Sequence, residues 1–242
     1  MRARKGRLPF AVLYEDESII VIDKPHALLS THTKLFGRAA REAQPTAENL
    51  INDYLRKGQL KSKKRVWLVH RLDRETSGVM MMAKSLEASE FYRADWNRLT
   101  KKTYLARVKG LIDADEGVFE SYLREDDDGY KVRSVTPQPG SHRTISKGGK
   151  PARLAKTSWR KLSAGKTTSL VEVYLHSGRK NQIRVHFAEA GHPVVGDCKY
   201  GGGKAPRMLL HALRLRVRHF RTGEWMEFVA PAPQALFSEE RT

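Results

Sequence analysis

The apolar residues of this 242-residue chain occur in short runs, and that pattern constrains the fold more than any other feature. The longest strictly apolar run, Val79–Ala83, is far shorter than the roughly 20 residues of a membrane-spanning helix. Most runs are rich in β-branched residues and end at turn-forming residues, which is typical of strands joined by hairpins. Helical spacing is confined to the segments 46–57, 85–98 and 181–190. The sequence therefore predicts an α+β fold: a mixed, largely antiparallel central sheet with flanking helices and loops.

The domain organisation follows from the absence of any linker-like composition between residues 8 and 232. We expect a single domain over residues 1–242, with a core at about 8–232, a short basic N-terminal tail and a short C-terminal tail. The stretch 136–151 is rich in Pro, Gly, Ser and basic residues, which predicts a mobile loop.

The charge balance favours a polyanionic partner. Lys and Arg number 45 against 27 Asp and Glu, so the formal net charge is +18. Nucleic acid is the favoured partner, because no Lys-rich amphipathic helix is evident to favour a membrane surface. The single Cys198 excludes an intramolecular disulfide and a cysteine-based zinc cluster. The N-terminus lacks the pattern of a signal peptide, so we expect a cytoplasmic protein without membrane partners.

Motifs for nucleotide cofactors and metals are missing from the sequence. Gly201–Lys204 lacks the spacing of a phosphate-binding loop, and no His-x-x-x-His pair occurs. Asp126, Asp127 and Asp128 are candidate Mg²⁺ ligands, as in a metal-dependent nuclease. Three adjacent acids in a hairpin turn are more often simply solvated. We therefore expect no metal and no cofactor.

Three polar segments beside apolar strands are candidates for chemistry. Asp73 lies between Arg71 and Arg74, whose charges favour its ionised form and suit it to act as nucleophile or base. Taken alone, however, this segment favours a purely structural turn, with Asp73 in a network of Arg, Thr and Ser side chains and Gly78 at the corner. Tyr104 is either a platform for stacking on a base or a core residue. Arg184, one turn into a helix that follows a glycine, either faces an anion or belongs to an ordinary amphipathic helix.

A resemblance becomes specific when these segments are taken together. The sequence His70-Arg-Leu-Asp73 followed by Thr76-Ser77-Gly78 resembles the signature of the RluA family of pseudouridine synthases. Further segments resemble other motifs of that family, in the expected order and over about residues 12 to 230: Ile20–Pro25, Lys102–Ala106, Gly178–Arg179 with Gln182–His186, Gly191–Pro193 with Gly196–Asp197, and Leu210–Ala212.

The chain departs from the family pattern at a few positions. His26-Ala27 replaces the usual Ala-Gly, Asn181 replaces a His, and the strand at 79–82 is Met-rich instead of Leu-rich. The departures spare Asp73, Tyr104 and Arg184, so the resemblance still implies activity, and we expect altered substrate contacts at His26 and Asn181. The motifs begin close to the N-terminus, which predicts the subset of the family without an N-terminal RNA-binding module.

The resemblance implies an isomerase that converts uridine in ribosomal or transfer RNA to pseudouridine without a cofactor. By resemblance Asp73 is the catalytic carboxylate, Arg184 pairs with it, and Tyr104 stacks on the target uracil. Leu72 and Ile183 are expected to line a water-poor pocket, and Arg71 to fill the stack that a flipped base vacates. We expect a monomer. The alternative is a non-catalytic RNA-binding or ribosome-assembly factor. The further residues expected to contact RNA are Arg74, Arg179, Lys180, Asn181, Lys147 and Lys150.

Overall fold

The computed structural model describes residues 8–32, 44–59, 61–136 and 150–238. These residues form strands that pair antiparallel wherever a register is defined, together with short helices, so the predicted α+β class is confirmed. The chain divides into two compact units. The first contains Met1–Thr100 and Ala212–Pro231, and the second contains Lys101–His211 and Ala232–Thr242. The expectation of a single domain stays a prediction.

The first unit is built on strands that run in the order β1-β2-β4-β10. Strand β2 pairs with β4 over its whole length, from Ile19 opposite Ala83 to Lys24 opposite Gly78. Strand β3 pairs with the end of β4, and β11 pairs with β10. The bounds are β1 Val12–Glu15, β2 Ile19–Lys24, β3 Trp67–Leu68, β4 Ser77–Ala83, β10 Leu210–Arg218, of which Leu210 and His211 belong to the second unit, and β11 Trp225–Val229.

Three helices accompany this part of the sheet. Helix α1 (Ala47–Arg56) begins at the predicted N-cap, Thr46, whose Oγ1 accepts from the Asn49 N–H at 3.1 Å. The segment predicted as one helix over 85–98 is two helices, α2 (Leu86–Ala94) and α3 (Trp96–Leu99). The helix breaks because Asp95 leaves helical geometry, with φ −148° and ψ 52°, and its carbonyl starts α3.

The core of the first unit lies between β2, β4, β10, β11 and helix α2. Both faces of β4 are buried, which explains the Met-rich strand: unbranched methionines fill irregular space on either side. The buried members of this core are Ile19, Val21, Val79, Met81, Ala83, Ala88, Tyr92, Leu215, Val217, Phe228 and Ala230.

The second unit contains an antiparallel run of strands in the order β5-β9-β8-β6-β7. The predicted hairpin is present between β6 and β7, and it turns at Asp126–Gly129, where Gly129 has φ +67°. Leu123, Val132, Ala155 and Val185 form a buried core in this unit. The bounds are β5 Thr100–Lys109, of which Thr100 belongs to the first unit, β6 Glu116–Glu125, β7 Val132–Val135, β8 Arg153–Ala164, β9 Thr168–Leu175, helix α4 Gln182–Glu189 and a 3-10 helix at Gln234–Leu236.

Most of the stretch predicted as a mobile loop, 136–151, lies outside the described residues. Within the described ranges, every helix is too short or too polar to cross a lipid bilayer.

Candidate active site

Asp73 lies on a short turn between β3 and β4 in the first unit. Its carbonyl accepts the Thr76 N–H at 3.2 Å, and its side chain is partly exposed. The residue before it, Leu72, is buried, and both of its backbone polar groups bond to Ser30 Oγ, at 3.2 Å from its N–H and 2.7 Å to its carbonyl. Ser30 therefore fixes the backbone that leads into Asp73.

Lys24 is the second anchor of this turn. Its side chain is fully buried at the end of β2, and Nζ donates to the carbonyls of Pro25 and Leu28, both at 2.8 Å, and of Arg74 at 3.3 Å. A buried ammonium is costly unless it is hydrogen-bonded, so these carbonyls and Lys24 hold one another in place. The Lys24-Pro25 pair at the strand end was the sequence signal for this anchor. The hydrogen bond to the Arg74 carbonyl joins residues that are fifty positions apart, so no local pattern indicated it.

Gly78 and His70 explain why the surrounding motif has its particular residues. A Cβ at Gly78 would lie 2.2 Å from the Ala212 carbonyl oxygen, and its φ of +110° also favours glycine. His70 Nε2 accepts the Met81 N–H at 2.9 Å, so that nitrogen carries no proton. Its ring stacks on Trp96 with centroids 4.6 Å apart. The motif is therefore a structural turn that also presents Asp73.

The two arginines that flank Asp73 in sequence are exposed. Arg74 Nε donates to the Ala27 carbonyl at 3.3 Å, which ties it back to the loop after β2. Exposed guanidinium groups beside a partly exposed carboxylate suit contacts with phosphate groups.

Arg184 is buried in the second unit, in the first turn of α4. Its guanidinium binds Asp197 through two parallel bonds, Nε to Oδ2 at 2.6 Å and Nη2 to Oδ1 at 2.8 Å. Nη1 donates to Asn181 Oδ1 at 3.2 Å. This fork holds the guanidinium plane in one orientation. The expected partner, Asp73, belongs to the other unit, and that pairing stays a prediction.

Asp197 and Tyr200 are site residues whose roles the sequence did not reveal. Asp197 is buried and also accepts the N–H groups of Lys199 and Tyr200, at 3.1 and 3.2 Å. The Tyr200 ring lies 5.3 Å from Arg184 Cζ, and burial raises the pKa of its hydroxyl. That hydroxyl accepts from Asn181 Nδ2 at 3.0 Å and from the Val132 N–H at 2.9 Å. The only sequence signal for these two residues was the Gly196-Asp197 pair, which is one of the segments that resemble family motifs.

Asn181 is buried and opens α4 in a left-handed conformation, with φ +53°. Its side chain bridges Arg184 and Tyr200, so in this structure it positions other residues. A direct contact of Asn181 with RNA stays a prediction.

Tyr104 and Ile183 are both buried in the second unit. Tyr104 stands on β5 opposite Val173 of β9, and Lys102 lies two residues earlier on the same face of the strand. Ile183 follows Gln182 in α4. Stacking of Tyr104 on a base and a pocket role for Ile183 and Leu72 stay predictions.

The basic residues expected at the RNA interface differ in their surroundings. Lys150 and Lys180 are exposed, and both pair with Glu125, Lys180 at 2.5 Å. Burial raises the pKa of Glu125, but the hydrogen bonds from these two lysines outweigh it, and the pKa lies below its usual range. Arg179 is half-buried, and Lys147 lies outside the described residues.

The acidic turn behaves as a hairpin turn. Asp126 accepts from Arg133 at 2.9 Å, and Asp128 accepts the Tyr130 N–H at 2.7 Å. In the part of the chain that the structure describes, no three His, Cys, Asp or Glu side chains are arranged to hold a metal ion.

Comparison with known proteins identifies the family. The family profile described as "RNA pseudouridylate synthase" matches residues 18–189, which include Asp73, Tyr104 and Arg184. The chain belongs to this family of RNA pseudouridine synthases.

Individual relatives agree with this assignment. A ribosomal large subunit pseudouridine synthase D of Neisseria meningitidis is 32% identical over 93% of this chain and 59% of its own length. The uncharacterized RNA pseudouridine synthase YjbO of Bacillus subtilis is 34% identical over 95% of this chain and 75% of its own. The chain thus spans about six-tenths of the length of the large-subunit relatives that it matches.

Solved structures share the fold. Human RNA Pseudouridylate Synthase Domain Containing 4 matches with a TM-score of 0.71 and 21% identity, over 93% of this chain and 90% of that chain. Human RNA Pseudouridylate Synthase Domain Containing 1 matches with a TM-score of 0.66 and 25% identity, over 98% and 89%.

Proposed function

We propose that this protein isomerises a uridine to pseudouridine within ribosomal or transfer RNA. The glycosidic bond from N1 to C1′ breaks, the uracil turns in place, and C5 bonds to C1′. The proton leaves C5 and N1 gains one, so no cofactor or co-reactant is needed. The observation that carries the proposal is the family match over residues 18–189, within which Asp73 sits on a turn anchored by Lys24 and Ser30.

Asp73 is the catalytic carboxylate in this proposal. Three routes remain open to it: attack on the sugar carbon, attack on the base, or removal of a proton. Arg184 pairs with Asp73 and keeps it ionised and oriented. The bonds from Arg184 to Asp197 support this role, because they fix the guanidinium before any substrate arrives.

Tyr104 stacks on the target uracil, and its hydroxyl takes part in the late proton transfer at C5. Leu72 and Ile183 keep water from the reacting base. Their burial supports that role, since a water-poor site strengthens electrostatic interactions and retains the free uracil.

The uridine leaves its stack to reach Asp73, because a stacked base hides the bonds that change. Arg71 fills the vacated position. The phosphates of the RNA are contacted by Arg74, Arg179, Lys180, Lys147 and Lys150. Asn181 also contacts the RNA. The exposure of Arg71, Arg74, Lys150 and Lys180 supports these contacts.

Large-subunit ribosomal RNA is the first substrate to test. Similar proteins carry the names ribosomal large subunit pseudouridine synthase D, and another, from Vibrio vulnificus, dual-specificity RNA pseudouridine synthase RluA. The name of the Vibrio vulnificus protein states a dual specificity without naming the two RNAs, and transfer RNA stays in the proposal as the other substrate to test. We further propose that the protein acts as a monomer in the cytoplasm, where such RNA is found.

Pseudouridine mapping tests this proposal. Total RNA is compared from cells with the gene, without it, and with an Asp73→Asn copy restored. We expect one site, or a small set of sites, to lose pseudouridine on deletion and to regain it only with the wild-type copy. Unchanged maps in all strains would contradict the proposal, and regain with Asp73→Asn would favour the non-catalytic RNA-binding alternative.

A further inference from the structure

The hairpin of β10 and β11 in the first unit has one apolar face and one charged face. Leu215, Val217 and Phe228 belong to the buried core of this unit, and the residues that alternate with them along both strands face outward. Five of these outward residues are exposed and the sixth, Arg214, is half-buried. We call the six together the Arg-Trp face: Arg214, Arg216 and Arg218 on β10, and Trp225, Glu227 and Val229 on β11.

The register of the hairpin brings these side chains together. Arg218 lies opposite Trp225, and Arg216 lies opposite Glu227. The Cζ atoms of Arg216 and Arg218 are 5.7 and 5.8 Å from the centroid of the Trp225 ring, which is 39% exposed. Two guanidinium groups therefore lie within cation–π distance of one solvent-accessible indole.

The charges on this face do not balance. Its three arginines and one glutamate leave two positive charges in excess. The Glu227 carboxylate lies 3.7 Å from Arg214 Nε and 3.6 Å from Arg216 Nε, which is longer than a hydrogen bond. Exposed ion pairs of this kind contribute little to stability. At the adjoining turn Arg221 pairs with Glu17 at 3.2 Å, so the excess stays on the face itself.

An exposed indole beside cations fits one class of partner best. Surfaces that bind single-stranded nucleic acid combine aromatic side chains, on which bases stack, with basic groups that contact phosphates. A base stacked on Trp225 would have a phosphate on each side, and Arg216 and Arg218 lie beside the ring to bind them. The carboxylates of an acidic protein segment would engage the guanidinium groups but leave the indole without a stacking partner.

The Arg-Trp face begins close to the strand that follows the Asp73 turn. Gly78, five residues after Asp73, packs so closely on β10 that a Cβ there would lie 2.2 Å from the Ala212 carbonyl oxygen. Arg214 lies two residues further along β10 and Arg218 six residues further, which is roughly 20 Å at the rise of a strand. All of these residues belong to the first unit, so RNA bound at Asp73 can reach the face with a short flanking segment.

We propose that the Arg-Trp face binds a single-stranded segment of the substrate RNA beside the target uridine. A base of this segment stacks on Trp225, and its phosphates are bound by Arg214, Arg216 and Arg218. The identity of the ligand as RNA rests on the proposed function. The face adds a second RNA contact that uses none of the residues assigned to the reaction.

Binding of an oligouridylate of about ten nucleotides tests the stacked base. We expect Trp225→Ala to weaken binding about tenfold, because stacking of one base on an aromatic side chain has an effect of that order. Trp225→Phe keeps a ring and should keep most of the affinity. Val229→Ala, on the same face, is the matched control and should bind like the wild type. Wild-type affinity in Trp225→Ala would overturn the proposal.

Tryptophan fluorescence reports the stacking itself. A base stacked on an indole quenches its emission, so the oligouridylate should quench the wild-type protein more than Trp225→Phe. This comparison needs only the conservative variant, and it stays decisive even where Trp225→Ala does not fold. Equal quenching in the two proteins would contradict a base on Trp225.

Salt dependence tests the phosphate contacts. Replacing Arg216 and Arg218 with Gln should reduce the slope of log affinity against log salt by about 1.4, since each contact on a single strand contributes about 0.7. The control, Lys57→Gln with Lys166→Gln, changes the charge equally at exposed positions away from the face and should keep the wild-type slope. Glu227→Gln should strengthen binding at low salt. An unchanged slope in the arginine variant, or weaker binding in Glu227→Gln, would contradict the proposal.

Competition distinguishes RNA from an acidic protein partner. Oligoglutamate with the same number of charges should displace the labelled oligouridylate much less well than unlabelled oligouridylate does, and equal displacement would overturn the proposal. None of these measurements involves isomerisation. Failure of the Arg-Trp face would leave pseudouridine formation by the wild-type protein intact, so it is distinguished from failure of the proposed function.

Discussion

Arg184 owes its orientation to residues that are distant from it in sequence. Asp197 is thirteen positions away and binds it through two bonds, and Asn181 and Tyr200 complete its surroundings. The sequence indicated Arg184 through its motif, but pairwise contacts of this kind depend on how α4 and the following loop pack. The same holds for Lys24, whose hydrogen bonds to the Asp73 turn had no local signal.

The bond between Asp197 and Arg184 should be tested by Asp197→Asn. Removing one partner leaves a buried charge without compensation, so we expect the free energy of unfolding to fall by about 3 kcal/mol or more. Protein that remains folded should bind RNA normally and form pseudouridine slowly, because the Arg184 plane is no longer fixed. Urea unfolding and single-turnover rates measure the two effects.

Glu120→Gln provides the matched control for that variant. It neutralises a carboxylate in the Lys156–Glu120 pair, in which both side chains are 49% exposed. An exposed pair contributes at most about 1 kcal/mol, so this variant should behave like the wild type. Equal losses in the two variants would contradict a special role for Asp197.

At the scale of elements, strand identity was predictable and helix limits were less so. Short β-branched runs with turn residues at their ends were strands, because period and punctuation are local signals. The break between α2 and α3 at Asp95 was not predictable from spacing, since the apolar residues continue in phase. It separates Tyr92 from Trp96, and Trp96 stacks on His70 in the loop before Asp73.

Helix α4 is fixed by a buried polar network. His186 Nδ1 lies 2.8 Å from Thr157 Oγ1, and its Nε2 lies 3.1 Å from Ser121 Oγ. Thr157 Oγ1 also accepts from Gln182, so its own proton is available to His186 Nδ1. A neutral imidazole satisfies both contacts, which makes the position of α4 sensitive to protonation.

The expected pH effect on stability has a definite sign. Burial lowers the pKa of His186, and Glu189 opposes this shift only in part. In this pH range the unfolded chain therefore binds a proton at His186 that the folded chain does not bind. The free energy of unfolding falls as pH falls from 6.5 toward the lower pKa of His186 in the folded protein. The loss is at most about 1.4 kcal/mol per pH unit. His186→Gln should flatten this decline in urea unfolding at pH 7, 6 and 5, whereas His176→Gln, at an exposed histidine, should keep it. A decline of wild-type steepness in His186→Gln would exclude the network as its source.

At the scale of the whole molecule, the net charge of +18 indicated a polyanion but gave no chemistry. The family match supplied the class of reaction, and the structure shows how part of the charge is used: Lys150 and Lys180 both pair with Glu125. The net charge therefore predicts that the protein recruits RNA. The buried Arg184–Asp197 pair predicts how the site is held for the reaction.

Salt dependence of RNA binding tests the contribution of the segment that includes Lys147 and Lys150. Replacing both with Gln should weaken binding to every RNA sequence and reduce the slope of log affinity against log salt by up to about two. Lys57→Gln with Lys166→Gln changes the net charge equally at two exposed positions and serves as the control. An unchanged slope in the Lys147 and Lys150 variant would exclude that segment as a phosphate contact.

The central claim is that Asp73 converts uridine to pseudouridine without metal. The most direct measurement is pseudouridine formation by purified protein on unmodified large-subunit ribosomal RNA in excess EDTA, with RNA affinity measured in parallel. The account predicts product with the wild-type protein and none with Asp73→Asn, at nearly equal RNA affinity. Product from Asp73→Asn, or RNA cleavage that requires Mg²⁺ in place of isomerisation, would contradict it.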